Sequence, residues 1–256
     1  MALVAVVHPR AGARTALTRG VPRGAFRVRA CRTVEQAAEL MHRELMDAVV
    51  IDVRAEAARA AFSLAQRYPG IPVFGYSPFG PDDGVLLTAC QASRLAGVLV
   101  EGVDDAAAGE LIARRTASQT RRTALQDAPR LLRLTEPMQQ RAWDEVLSRV
   151  SARLRTSEIA RALGRTREHV SREFAAGGAP NLKRVIDLAC VACAADLLAN
   201  PGYDVATVAR ILGFASSSHL SGCSRRVVGV TPRELPKLGL RAVLARFLKG
   251  RTRSRV

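Results

Sequence analysis

The chain has 256 residues, 48% of them hydrophobic and 24% charged, with a net charge of +16. That length suits two ordinary domains or one large one, and the composition is that of a globular rather than a disordered chain. No run reaches the ~18 apolar residues of a membrane-spanning helix, and the opening MALVAVVHPRAG lacks the basic start and apolar length of a secretion signal.

The first 115 residues alternate between short apolar runs and longer helical patterns. Strands are predicted at Leu3–Val7, Phe26–Arg29, Ala48–Ile51, Ile71–Tyr76 and Gly97–Val100. Between them, Thr33–Glu44 puts Val34, Ala37, Ala38, Leu40 and Met41 on one helical face, and Ala55–Tyr68 and Asp104–Arg115 follow the same period. Weaker helical patterns lie at Gly12–Arg19 and Gly84–Ala92. Apolar strands alternating with helices imply an α/β domain, a doubly wound parallel five-stranded sheet covered on both faces. Thr116–Leu134 is polar and Arg-rich and reads as a continuation of the last helix into a linker. The expected organisation is residues 1–115, a helical linker over 116–136, and a second domain over 137–256, with Pro137 in the first turn of its first helix.

From Thr135 onward no strand pattern survives, and the charge changes. Residues 1–120 carry 14 basic and 12 acidic side chains, whereas residues 121–256 carry 25 and 11. A net +14 confined to one half implies a polyanion partner for that half, either nucleic acid or an anionic membrane surface. Within it, Thr156–Phe174 reads TSEIARALGRTREHVSREF. Ile159, Ala160 and Leu163 mark the buried face of a short helix, Gly164 permits a tight turn, and Thr166 can cap the next helix. Val170 and Phe174 then point inward while Arg167, Glu168, Ser171 and Arg172 point out, a helix-turn-helix pattern. It returns in Val205–Gly229, where Val208, Ala209 and Leu212 face inward, Gly213 turns, and Ser216 caps a helix exposing Ser217, Ser218, Ser221 and Arg225. Leu182–Leu198 is a long apolar helix between them, whose Cys190 and Cys193 share one buried face as small core residues. The five Cys are odd in number and scattered, which suits a reducing cytoplasm. Trp143 reads as core. The tail, Leu238–Val256, lines up Leu240, Val243, Leu244, Phe247 and Leu248 before KGRTRSR, a basic amphipathic helix that either lies on a membrane or packs on the second unit with its basic end near phosphate.

Two resemblances follow from these motifs. The strand and helix order of residues 1–115, with DAVVID as its third strand, resembles the response-regulator receiver fold. The resemblance puts Asp52 at the phosphoacceptor position and Ser77 at the hydroxyl position ending the fourth strand. Receivers follow their first strand with an acidic pair that binds Mg²⁺ and end the fifth with Lys; here stand His8, Pro9 and Glu101. Without those carboxylates and that cation an acyl phosphate loses its stabilisation, so Asp52 is expected not to be phosphorylated, and His8 reads as a surface or loop residue. Residues 137–236, through SEIARALGRT…VSREF, A-A-D-L-L and VATVARILGF…GVTP, resemble the AraC/XylS family DNA-binding domain. That resemblance implies recognition helices in successive major-groove segments. Base readout would fall on Arg167, Glu168, Ser171 and Arg172, and on Ser217, Ser218, His219 and Ser221. Backbone contacts would fall on Arg165, Thr166, Ser216, Arg225 and Arg226.

The family pattern is broken by Gly222 at a frequent base-reading Arg, by Ser224 at a core aromatic and by Cys190 at a linker-helix Arg. The second recognition helix is therefore expected to position more than to specify. Arg167 and Arg172 could equally be solvated charges, and Glu168 either repels phosphate or accepts from cytosine N4. The partners expected are double-stranded DNA and a second copy through the N-terminal domain, with RNA polymerase a further candidate and no membrane. No cofactor and no metal are expected, and an enzyme built on Asp52, Ser77 and His8 lacks a base and its orienting partner. An alternative is an interaction protein that modulates another regulator and binds DNA weakly.

Overall fold

The computed structural model describes residues 1–22, 24–150, 154–175 and 178–253. The chain divides into two compact units, Met1–Thr120 with Asn200–Gly202, and Arg121–Ala199 with Tyr203–Val256.

The N-terminal unit is a parallel five-stranded sheet. Its strands are β1 (Ala2–Val7), β2 (Phe26–Cys31), β3 (Ala48–Ile51), β4 (Val73–Ser77) and β5 (Gly97–Val100), hydrogen-bonded in the order β2-β1-β3-β4-β5. This is the doubly wound order whose ligand sites lie beyond the carboxyl ends of the strands. Five helices connect and cover it: α1 (Ala11–Gly20), α2 (Val34–Met41), α3 (Ala55–Arg67), α4 (Gly84–Ala92) and α5 (Ala108–Ala113). Val4, Val6, Val50, Phe74, Tyr76 and Leu99 of the strands bury against Leu17 of α1 and Ile112 of α5. All four residues of β3 and all five of β4 are buried, which is why they read as unbroken apolar runs. The fold class expected for residues 1–115 is the one observed.

Three local features differ from expectation. The fifth helix starts at Ala108 rather than Asp104, because the Asp104 carboxylate accepts the Val100 N–H at 2.7 Å and ties those residues into a turn. It also stops at Ala113, and a separate helix, α6 (Ala117–Ala124), follows instead of a continuous linker. Thr116 caps this new helix by accepting the Gln119 N–H at 3.2 Å. Asp47, expected only to open β3, is 5% exposed and accepts the N–H groups of Leu3 and Ser118.

The second unit is helical: α7 (Ala128–Leu131), α8 (Pro137–Ser148), α9 (Thr156–Ala162), α10 (Arg167–Ala175), α11 (Leu182–Leu198), α12 (Val205–Ile211), α13 (Ser217–Val228) and α14 (Leu235–Arg253). Pro137 is the first residue of α8 and Trp143 is core, both as expected. Thirteen of the 17 residues of α11 are buried, so it is the axis on which α8, α10, α12, α13 and α14 pack. Cys190 and Cys193 lie in its buried surface as thiols. The tail helix starts at Leu235, three residues earlier than expected, and kinks at Gly239, whose φ of 69° is outside helical range. Val243, Leu244 and Phe247 bury as the apolar stripe requires, and the Arg184 guanidinium lies 5.1 Å over the Phe247 ring. Ser254 and Arg255 of the basic end fall outside the described residues.

Candidate nucleic-acid interface

Each half of the interface is built by the same local rules. In the first, Ile159 and Ala160 of α9 and Val170 and Phe174 of α10 are all 2% exposed or less. Gly164 makes the turn at φ 64°, a conformation side chains resist. The Arg165 N–H then reaches back to the Ala160 carbonyl at 3.0 Å, and Thr166 caps α10 by accepting the His169 N–H at 3.2 Å. Gln139 of α8 is fully buried and donates its Nε2–H to the Glu173 carbonyl at 2.8 Å, fixing the far end of α10. With its apolar edge so anchored, α10 leaves Arg167, Glu168, Ser171 and Arg172 exposed together, with Arg165 and Thr166 exposed at its entrance.

The second half repeats the turn one residue longer. Asp204 caps α12 by accepting the Thr207 N–H at 2.7 Å, Gly213 turns at φ 71°, and the Phe214 N–H returns to the Ala209 carbonyl at 2.8 Å. Ser216 caps α13 by accepting the His219 N–H at 3.1 Å. Leu220, Cys223, Ser224, Val227 and Val228 bury, and Gly229 closes the helix in the left-handed region at φ 76°. Ser224 is buried, and its hydroxyl donates to the Val230 carbonyl at 2.7 Å.

The expected readers of α13 do not share one surface. Ser218, His219, Arg225 and Arg226 are exposed. Ser217 and Ser221 are half-buried and turn into a groove with Tyr203, Asp204, Thr231 and Arg233. There the Ser221 hydroxyl donates to the Ser217 carbonyl at 2.9 Å, so its proton is already committed. His219 packs edge-on against Phe214 with centroids 5.4 Å apart. Arg226 is engaged too, its guanidinium 3.1 Å from the carboxylate of Asp187, a residue 7% exposed on α11 that also pairs with Lys183. Sequence reasoning passed over Asp187. Its signal was an acid inside an otherwise apolar helix four residues after a Lys, since a buried carboxylate requires a partner.

Beyond the strand ends of the N-terminal unit, the Asp52 neighbourhood is closed. Its Oδ1 accepts from the Ser77 hydroxyl at 2.6 Å and from the Arg54 N–H at 3.1 Å. Its Oδ2 is 3.7 Å from His8 Nε2, which stands equally far from Glu101. His8 is 1% exposed, which corrects its reading as a surface or loop residue: it directly follows β1, an inner strand, and the Tyr76 ring covers it edge-on. The Arg10 N–H donates to His8 Nδ1 at 3.1 Å, so the neutral ring carries its proton on Nε2. Burial lowers the His8 pKa from 6.5, with Asp52 and Glu101 pulling the other way. Arg10 in turn pairs with Glu101. Where phosphoryl chemistry would need a dication and an ammonium, the site holds a neutral imidazole and a second carboxylate that is already paired. Among the described residues, no cluster of three or more His, Cys, Asp or Glu is placed to hold a metal.

Residues 159–237 match the family model of a helix-turn-helix domain. No curated protein matches the chain. Among solved structures, full-length FixJ from B. japonicum is similar at 14% identity, with 87% of this chain and 95% of that chain covered and a TM-score of 0.39. The matched stretch runs from within α9 to the start of α14, so the second unit carries a helix-turn-helix domain.

Proposed function

We propose that the chain is a sequence-specific DNA-binding transcription regulator whose receiver-like unit works without phosphorylation. The observation that carries this reading is the row of Arg167, Glu168, Ser171 and Arg172, exposed together on a capped helix whose opposite face is anchored in the core. Arg and Glu side chains make directed contacts to guanine and cytosine edges, and a rigid helix holds them in register with a major groove. Ser218, His219 and Arg225 of α13 form the second, weaker contact. Arg165 and Arg225 serve the backbone, Thr166 and Ser216 act chiefly as caps, and Arg226 is braced by Asp187.

The N-terminal unit is read as a dimerisation or docking module. Helix α4 is apolar on nearly every side, yet Val85 is 85% and Leu87 40% exposed, and Val103 beyond β5 is 76% exposed. Exposed apolar surface of this kind marks an interaction site. A second copy there would double the DNA contacts by linkage, and RNA polymerase is a further candidate partner. No described helix is long and apolar enough to cross a membrane.

In vitro selection of duplexes by the full chain, followed by titration on the selected and a scrambled duplex, tests the reading. Discrimination of about 10³ or more at physiological salt is expected. Equal binding to both would favour the second reading, an interaction protein with weak DNA affinity, which the committed hydroxyl of Ser221 and the bare Gly222 already lean toward for α13 taken alone.

A further inference from the structure

Residues at the starts of both recognition helices line one cleft of about 540 Å³. Arg167, the first residue of α10, and His219, near the start of α13, both line it. Arg155 stands beside Arg167 ahead of α9, Lys183 comes from the first turn of α11, and Asp187 and Ile186 are further along that helix. Three cationic side chains therefore border a cleft with a single carboxylate, and that carboxylate is shared between Lys183 and Arg226. Cations crowded on an open cleft, with one buried counter-charge, are complementary to a chain of phosphates rather than to an apolar or cationic partner.

We infer that this cleft seats the phosphodiester strand running between the two major-groove segments, with Arg155 and Lys183 as its phosphate contacts and Asp187 as a brake on its positive charge. The inference rests on the DNA-binding reading above. Duplex DNA that offers successive major-groove segments to α10 and α13 must pass a backbone across the space separating the helix starts. That space is the cleft. Lys183 is 61% exposed and reaches Asp187 by a flexible stem, so it can turn to a phosphate while Arg226 keeps the carboxylate paired. Asp187 thereby tempers non-specific attraction and leaves readout to Arg167, Glu168 and Arg172.

The test uses the full chain with a selected duplex and a mixed-sequence duplex, titrated over a range of salt. Lys183→Gln and Arg155→Gln should each weaken binding to both duplexes alike, by about five-fold at ~0.15 M salt, and flatten the salt slope by about 0.9. Asp187→Asn should tighten both and steepen the slope by a similar amount. Phosphate ethylation between the two groove segments should block wild-type binding and matter less to Lys183→Gln. Lys183 and Arg155 are exposed, so their variants report even if Asp187→Asn fails to fold. If both bind and respond to salt like the wild type while Arg172→Ala loses affinity, the cleft assignment is wrong and the DNA reading stands. If Arg172→Ala also binds like the wild type, the DNA reading fails with it.

Discussion

Replacing Arg172 with Ala should separate the two recognition helices by their chemistry. Arg172 stands exposed one turn into α10, a helix held by Gln139, Val170 and Phe174, so truncation removes a reader without moving the helix. A bidentate Arg contact to a base is worth about 1–3 kcal/mol, which is roughly five- to 150-fold in Kd. The loss should be confined to the preferred duplex, and base preference at the contacted position should relax. Ser217→Ala and Ser221→Ala should change affinity by less than about 1 kcal/mol, because the Ser221 proton is donated within the helix at 2.9 Å and both side chains turn into the groove. Arg225→Ala should weaken all duplexes equally and lower the salt slope by about 0.9. Fluorescence anisotropy on selected and scrambled duplexes at two salt concentrations distinguishes these outcomes. The reasoning is refuted if either Ser variant loses more discrimination than Arg172→Ala.

Three other outcomes are expected. Beryllofluoride with Mg²⁺ should alter neither oligomeric state nor DNA affinity, because His8 stands 3.7 Å from both Asp52 and Glu101 with its proton on Nε2; a shift by analytical ultracentrifugation would overturn this. The depressed pKa of His8 means that the unfolded chain takes up the proton first as pH falls, so stability is full above pH 6.5 and declines from there through the folded value. Urea titrations above and below that pH should show the decline in the wild type and a smaller one in His8→Gln. Val85→Asp on α4 should convert a dimer to a monomer by sedimentation and leave secondary structure intact, since Val85 is 85% exposed and supports no core.

The fold was legible wherever one periodicity held without competition. Leu182–Leu198 reads as a single buried helix and is one, because its apolar run is long and its neighbours bury 13 of its 17 residues. Gly164 and Gly213 announced their turns because a residue without Cβ adopts their positive φ most readily. What the sequence withheld depends on who sits next to whom. His8 looks like a strand-end residue bound for solvent, and it is buried only because β1 lies centrally and Tyr76 of β4 reaches over it. Ser217 and Ser221 fall on the polar side of α13 by composition, yet the chain around Thr231 and Arg233 turns back over that side. A hydroxyl's commitment to a carbonyl one turn back is likewise invisible in a string of letters.

The same distinction bears on charge. A net +14 in residues 121–256 suggests many hands for phosphate, but the structure divides those cations by what they already hold. Arg226 and Lys183 share Asp187, and Arg121 pairs with Asp196, so these cations meet a carboxylate before they meet a phosphate. Arg165, Arg167, Arg172 and Arg225 stand exposed around the two recognition helices. Counterion release counts only cations that meet phosphate. A measured salt slope should therefore follow this exposed set with the cleft residues, and fall well short of the formal charge. Asp187 is then the residue through which affinity can be raised at the expense of specificity, because releasing its two partners adds attraction that every sequence shares.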